Sequence, residues 1–469
     1  MKDSKILLIL RTFSKQEFKE FEKYVHSPFL NSAGEYIYSF LHCIKKYHPD
    51  FEHPDFTKQN IFIQLYPKEK YNDSRMRKLI SETMKLSLDY LAAKNFMEDE
   101  QQKGRLILKE LQDRNLSSLF EIKSKELTKK LDGNKIKDSQ FYYEKYKLLL
   151  ETKAFYFTRE RKKSIRLFNE EMDNLTKYLV LLFIHKYIER FKEKRSFTET
   201  DFSLPLLKEI TNYAEQNFAG KGNVFDLYYT ELLLYISGEE KYYFSLKHLK
   251  EKLFNKIDKS SLSTIYTTLS NYATEQLENG KTSYLNEIFQ LHKEILKRKL
   301  YGSIFSEFVY FNIVNIGLRL GETKFVEKFF DEYKSKLRKD IREDAYNYCL
   351  ASINFSKKKY AEALENLSKV NFTLSLHRYL VRNLTIKIYY DLNETNSLYS
   401  LIDSYKHTLK RDNTVPENIR SFVTNFINLT RDLLRIKNGE KKKENIEARV
   451  EKEITAEKQW LLSKVKEFK

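Results

Sequence analysis

Turn-forming residues are scarce in this sequence, which contains only 11 glycines and 6 prolines in 469 residues. An all-β fold needs many more such residues at its turns, so the shortage excludes it and favours long helices joined by short turns. Four of the six prolines, Pro28, Pro49, Pro54 and Pro67, fall in the first 67 residues. This uneven distribution predicts an irregular helical domain over residues 1–95, followed by more regular helical packing.

Cysteines and long apolar runs are also rare. Having only two cysteines, Cys43 and Cys349, excludes a disulfide framework and a cysteine-rich zinc site, and it fits a reducing compartment. The apolar run at 6–10 is too short for the core of a signal peptide, and the run at 178–184 is too short to span a bilayer. We therefore predict a soluble cytoplasmic protein that does not associate with a membrane.

Motifs of catalysis and metal binding fail at specific positions. Gly280-Lys281-Thr282 resembles the end of a phosphate-binding loop, but Glu275 stands where that loop needs its first glycine. One cluster combines histidine and cysteine with nearby carboxylates, but its spacing does not match four-ligand zinc sites: His42, Cys43, His48, Asp50, Glu52, His53 and Asp55. These failures predict a protein that is not an enzyme and holds no cofactor and no metal.

What the sequence does have is apolar content and positive charge. Hydrophobic residues make up 41% of the chain, enough for a large core, and 84 basic against 66 acidic residues give a net charge of +18. Such a balance suits an acidic partner or nucleic acid, although interleaved acidic residues are equally typical of solvated helix faces and of a biased genome composition. For nucleic acid, Arg75, Arg77 and Lys78 at a helix start are the candidate phosphate contacts.

Local signals place helices in the first domain. Ser14 and Glu17 form a capping box, in which each side chain bonds the other residue's backbone, and Ser32 with Glu35 forms a second one. Pro28 disfavours helical geometry at Ser27, so the first of these helices should end there. The pattern predicts a small bundle of about five helices.

A repeat follows in the second half of the chain. Gly238, Gly280 and Gly321 each precede an aromatic residue by four positions, and the anchors 242, 284, 325, 360 and 398 are spaced by 42, 41, 35 and 38 residues. Such a period in a helical chain predicts stacked helical hairpins, with the glycine ending the first helix of each pair. We assign divergent hairpins to 96–222, the repeats to 223–437 and a capping helix to 438–469, with a coiled-coil or partner helix as the alternative for the last segment.

The stretch "YNYCLASINFSKKKYAEALENLSKV" (346–370) resembles a tetratricopeptide repeat. Leu350-Ala351, Tyr360 and Ala363 fall at characteristic positions of that family, although its closing proline is missing. The resemblance implies an α-solenoid whose first helices line a groove for a protein or peptide. In that register the residues facing the groove are Tyr348, Ser352, Phe355, Lys387, Tyr390 and Asp391.

The whole chain also resembles a family of uncharacterised bacterial helical proteins, through "YNDSRMRKLIS", "YYEKY" and "LTIKIYYDLNETNSLYSLIDSYKHTLKR". That resemblance implies an all-helical fold and no particular activity. The sequence thus predicts an all-α protein with an N-terminal bundle and a solenoid. Its expected function is to bind a protein or peptide, an acidic one given the charge, and the alternative is a nucleic-acid-associated regulator. The sequence leaves the oligomeric state open.

Overall fold

A computed structural model describes residues 1, 4–27, 35–196, 203–302, 304–372, 375–412, 415, 417–440 and 445–468 of the chain. These residues form 23 α-helices and one 3₁₀ turn, and they contain no strand. The predicted all-α class is therefore confirmed. None of the described helices combines the length and the apolar character needed to cross a bilayer. Pro28 and Ser32, at the predicted helix boundary, lie outside the described residues.

The chain divides into two compact units. Unit 1 comprises Met1–Gly133 and Glu144–Glu171, and unit 2 comprises Asn134–Tyr143 and Met172–Lys469. The division falls within helices α8 (Ser139–Phe157) and α9 (Arg161–Ser196). The domain boundaries predicted at 95, 222 and 437 remain predictions.

Unit 1 is organised around one long helix. Its other helices up to residue 132 are α1 Lys5–Leu10, α2 Lys15–His26, α3 Glu35–Lys45, α4 Lys58–Leu65, α5 Asp73–Glu98, α6 Glu100–Asp113 and α7 Ser117–Asp132. Each of α1 to α4 contacts α5. Their shared core is rich in fully buried aromatic side chains, including Phe21, Phe40 and Phe62. Burial of rings of this size supplies much of the stabilisation of such a core.

The first predicted helix start is half confirmed. The Ser14 hydroxyl accepts a hydrogen bond from the Glu17 amide at 3.1 Å, so Ser14 is the N-cap of α2. The Glu17 carboxylate does not complete the capping box. It pairs instead with the ammonium of Lys94 on α5, at 2.7 Å. A tertiary ion pair has therefore replaced the local bond that the sequence predicts.

Unit 2 is a succession of helices that pack in consecutive pairs. They are α10 Leu207–Asn217, α11 Val224–Ser237, α12 Glu240–Lys252, α13 Lys259–Glu278, α14 Tyr284–Lys297, α15 Glu307–Arg319, α16 Thr323–Lys334, α17 Arg342–Ser356, α18 Tyr360–Ser368, α19 Ser375–Asp391, α20 Thr395–Arg411, α21 Glu417–Lys437, α22 Ile446–Lys452 and α23 Lys458–Lys466. The 3₁₀ turn is Phe254–Lys256. The pairs include α11 with α12, α13 with α14, α15 with α16, α17 with α18, and α19 with α20.

The turns between paired helices match the predicted repeat. Gly238, Gly280 and Gly321 have φ angles of 66°, 94° and 75°, and each follows the first helix of its pair. In the next two pairs Lys358 and Asn393 adopt the same left-handed conformation, at 59° and 60°. Glycine reaches this conformation without steric penalty, whereas lysine is strained there. The turn geometry has therefore been kept where the glycine has not.

Polar contacts fix the register between two second helices. Glu240 accepts a hydrogen bond from the Tyr284 hydroxyl at 2.7 Å, and the Tyr243 hydroxyl donates to Glu287 at 3.1 Å. Each bond joins α12 to α14 across 44 residues, close to the predicted repeat length. A third contact with the same separation joins the buried Lys250 ammonium to Glu294 at 3.0 Å. Equivalent positions of successive hairpins therefore lie side by side.

Gly317 on α15 should not tolerate a side chain. An added Cβ would lie 2.4 Å from Val326 Cγ2 on α16 and 3.3 Å from the Phe289 ring. Because the valine χ1 angle is stiff, we expect Gly317→Ala to lower the free energy of unfolding by about 1–2 kcal/mol despite the better helix propensity of alanine. Urea denaturation followed by circular dichroism measures the change. The control is Gly302→Ala, since a Cβ there meets only Ile304 O at 3.9 Å and should be tolerated.

The C-terminal segment differs from the predicted single capping helix. It forms two helices, α22 and α23, which contact each other. Because α22 ends at Lys452, Ile454 leaves the predicted apolar stripe and is 62% exposed. Four other residues of the stripe, Ile446, Val450, Leu461 and Val465, are buried in a core shared with α19 to α21. The helix break thus lets both short helices bury an apolar face.

Candidate partner-binding surface

The six predicted groove residues lie on two neighbouring helices. Tyr348, Ser352 and Phe355 lie on α17, Lys387, Tyr390 and Asp391 lie on α19, and these helices contact each other. The structure brings two of the side chains together, because the Lys387 ammonium lies 5.3 Å from the centre of the Phe355 ring. However, Tyr348, Ser352 and Tyr390 are buried. A partner therefore cannot reach these three side chains in the present conformation.

Two buried ion pairs attach the C-terminal segment, which we define as residues 445–468, to α19. The Lys387 ammonium lies 2.7 Å from the Glu457 carboxylate, and the Asp391 carboxylate lies 2.7 Å from the Lys464 ammonium. All four side chains are at most 29% exposed. Buried charges need close partners because they have lost much of their hydration, so each pair positions the segment specifically.

An aromatic contact lies between the two ion pairs. The Trp460 ring meets Tyr390 edge-on, with 5.3 Å between ring centres and 80° between planes, and it also contacts Phe426 on α21 at 6.1 Å. Leu461 and Val465 are buried behind it. Edge-to-face aromatic pairs and buried aliphatic anchors are typical of a helix seated on a helical groove. The predicted groove residues of α19 thus already bind a helix, supplied by the chain itself.

The Glu457 carboxylate influences groups on three further helices. Burial raises the pKa of Tyr348 on α17 and of Tyr405 on α20, and the negative charge of Glu457 adds to both shifts. On α15, burial lowers the pKa of Arg319, and the same carboxylate acts in the opposite direction. One carboxylate is therefore close enough to act on α15, α17, α19 and α20.

Arg319 is the least satisfied charge near this surface. Its side chain is exposed to solvent, and it forms no ion pair with any described carboxylate. Burial nevertheless lowers its pKa. Exposure and desolvation are compatible when a side chain lies in a concavity, where solvent enters but protein fills most of the surroundings. Arg319 therefore offers an open guanidinium to an anionic group.

Sequence reasoning missed both Arg319 and Glu457. Arg319 precedes the left-handed Gly321 by two residues, as Asp391 precedes the left-handed Asn393, so the repeat register alone was sufficient to place it beside the predicted surface. No comparable signal existed for Glu457. It is 70 residues from Lys387 in the chain and belongs to a segment outside the repeats.

The predicted nucleic-acid contacts are already paired with carboxylates. Arg75 contacts Glu69 at 2.5 Å and stacks on the Tyr66 ring, Arg77 contacts Asp73 at 2.6 Å, and Lys78 lies 3.9 Å from Glu82. Phosphate binding draws on unpaired positive charge. The geometry at the start of α5 therefore does not favour this alternative.

A second concave region lies between α10, α11 and α12. Its volume is about 850 Å³, and its walls include Thr211, Tyr229, Ile236, Tyr242, Phe244 and His248. Phe244 is 52% and Ile236 is 43% exposed. Exposed apolar side chains in a groove can receive apolar groups of another molecule, but no polar contact in this region indicates which.

The histidine cluster near residue 48 is used structurally. A His48 ring nitrogen lies 2.9 Å from the Phe13 carbonyl, and the His53 ring accepts a hydrogen bond from the Asp55 amide at 3.2 Å. Within the described residues, no three histidine, cysteine or carboxylate side chains converge as metal ligands would. The argument for a functional surface accordingly comes from α15, α17 and α19.

Comparison of the chain with protein-family models, with curated proteins and with solved structures yields no significant match, so the function of this protein has to be inferred from its own geometry.

Proposed function

We propose that this protein is a non-catalytic scaffold that binds a segment of a partner protein along the first helices of stacked hairpins. In this proposal α1–α5 form a small N-terminal bundle, and the hairpins of unit 2 form a solenoid similar to tetratricopeptide repeats. Two features support the stacking: the contacts of α15 with α17 and of α17 with α19, and the repeated 44-residue register between α12 and α14. Each hairpin buries its apolar face against the next one.

The observation that carries the proposal is the seating of α23 on α19. Two ion pairs at 2.7 Å flank an edge-to-face contact between Trp460 and Tyr390. Interfaces between proteins concentrate their binding energy in similar clusters, where a large aromatic side chain is surrounded by paired polar groups. The surface has the chemistry needed to hold an amphipathic helix, and the exposed Arg319 extends it beyond the area that α23 occupies.

The test is partner capture with a surface variant. Full-length tagged chain is purified from its source cells after nuclease treatment, and co-purifying proteins are compared for the wild type, Arg319→Glu and Lys328→Glu. Arg319 has no described ion-pair partner, so its reversal should leave the fold intact. Lys328 is an exposed lysine on the neighbouring α16 and controls for the change in charge. We expect Arg319→Glu to reduce recovery of the partner at least tenfold and Lys328→Glu to leave it unchanged.

The interaction is then measured with the purified partner by titration calorimetry, because capture alone does not locate the contact. A partner that binds the wild type and Arg319→Glu equally well would show that this surface is not the binding site. Capture that disappears with nuclease and persists with Arg319→Glu would instead support the nucleic-acid alternative.

A further inference from the structure

We infer that Arg319 and Lys387 form a carboxylate-binding surface for an acidic segment of a partner protein, and that Glu457 occupies it in this chain as an internal competitor. The inference rests on the proposed function and specifies its ligand and its regulation. Neither Arg319 nor Lys387 carries a competing local carboxylate: Lys387 pairs with Glu457 alone among the described residues, and Arg319 has no described pair. Both side chains belong to first helices of hairpins, α15 and α19.

The geometry makes one anion the natural ligand of several helices. The contacts of α15 with α17 and of α17 with α19 bring the two basic helices to either side of α17. Glu457 bonds Lys387 at 2.7 Å and acts on Arg319 electrostatically from beyond ion-pair distance. It therefore satisfies one of the two cations and leaves the guanidinium open. A segment with two or more carboxylates can engage both cations, which a single glutamate cannot do.

The position of Glu457 fits a removable occupant better than a fixed support. It precedes α23 with a φ angle of 54°, a left-handed conformation that is strained for a residue with a side chain. The apolar anchors Leu461 and Val465 lie further along α23, so the carboxylate can leave Lys387 while the helix stays packed. An acidic ligand then competes with Glu457 locally and does not have to unfold the C-terminal segment.

The experiment measures binding of fluorescein-labelled hexaglutamate to the full-length chain by fluorescence anisotropy. We expect Glu457→Gln to bind this probe about tenfold more tightly than the wild type, because Lys387 becomes available beside Arg319. The matched control is Glu451→Gln, which changes the net charge equally at an exposed position of the same segment. The double variant Glu457→Gln with Arg319→Gln should lose the gain, and labelled hexaglutamine should not bind.

Equal binding of hexaglutamate by the wild type and Glu457→Gln would overturn the inference, and so would an equal gain in Glu451→Gln, which would show a general charge effect. Neither result contradicts the proposed function, which fails only when partner binding is insensitive to Arg319→Glu. If circular dichroism shows that Glu457→Gln is unfolded, Glu457→Asp replaces it. Its shorter side chain no longer reaches Lys387, and the same gain is expected.

Discussion

Replacing Tyr310 by alanine is expected to lower the free energy of unfolding of unit 2 by about 3–5 kcal/mol. Tyr310 on α15 is fully buried, its ring contacts Phe329 with 5.4 Å between centres, and its hydroxyl donates a 2.7 Å hydrogen bond to the Phe330 carbonyl. Truncation removes both the packing and the bond, and it leaves a cavity between α15 and α16. The loss should therefore be among the largest for any single substitution in this unit.

The measurement is urea denaturation, monitored by the fluorescence of the single tryptophan, Trp460, which lies in the same unit. Tyr310→Phe is the matched control, because it keeps the ring and loses only the hydrogen bond, at a cost of about 1 kcal/mol. Equal destabilisation by the two variants would show that the hydroxyl, and not ring packing, dominates at this position. Because the chain has two units, the unit 2 transition has to be analysed separately.

Acid should destabilise unit 2 through His292. This side chain on α14 is 4% exposed, and neither ring nitrogen has a hydrogen-bond partner among the described residues. Burial lowers its pKa from 6.5 to about 4. The unfolded chain therefore binds a proton at a higher pH than the folded chain does, so stability is complete above pH 6.5 and is lost as the pH falls towards 4. At about 1.4 kcal/mol per pKa unit, the total loss is about 3 kcal/mol.

Urea denaturation at pH 7.5, 5.5 and 4.5 measures this dependence in the wild type and in His292→Phe, which cannot titrate. The difference in stability between the two proteins should shrink or reverse as the pH falls. His407→Phe is the control, since His407 is exposed in the same unit. Burial also lowers the pKa of His185 and of His377, so the variant should keep part of the acid sensitivity. A pH-independent difference between the wild type and His292→Phe would contradict the prediction.

Local features were predictable wherever a short stretch of chain carries its own physical reason. Ser14 caps α2 because its hydroxyl reaches an amide three residues away, and Gly238, Gly280 and Gly321 adopt the left-handed turn that their lack of a side chain permits. Other local predictions failed where a distant group competed. The Glu17 carboxylate bonds Lys94 and not its own helix start, and the predicted stripe through Ile454 is broken because the chain turns between α22 and α23.

The candidate surface shows the same limit. The repeat register selected Lys387, Tyr390 and Asp391, and the structure places all three against the C-terminal segment. The partners Glu457, Trp460 and Lys464 were not predicted, because they lie about 70 residues further along the chain and belong to no repeat. Ion pairs across such distances depend on how helices stack, and no pattern in the sequence encodes that stacking directly.

By itself, the sequence determined the helical class, the turns and the repeat length, because each follows from the backbone preferences and apolar spacing of neighbouring residues. Only the tertiary structure decided which charges are free and which are paired. It neutralised Arg75, Arg77 and Lys78 with nearby carboxylates, joined Lys387 to Glu457, and left Arg319 exposed without a described partner. The reason is physical: helix formation is governed by interactions over three or four residues, whereas charge pairing and burial depend on contacts between remote parts of the chain.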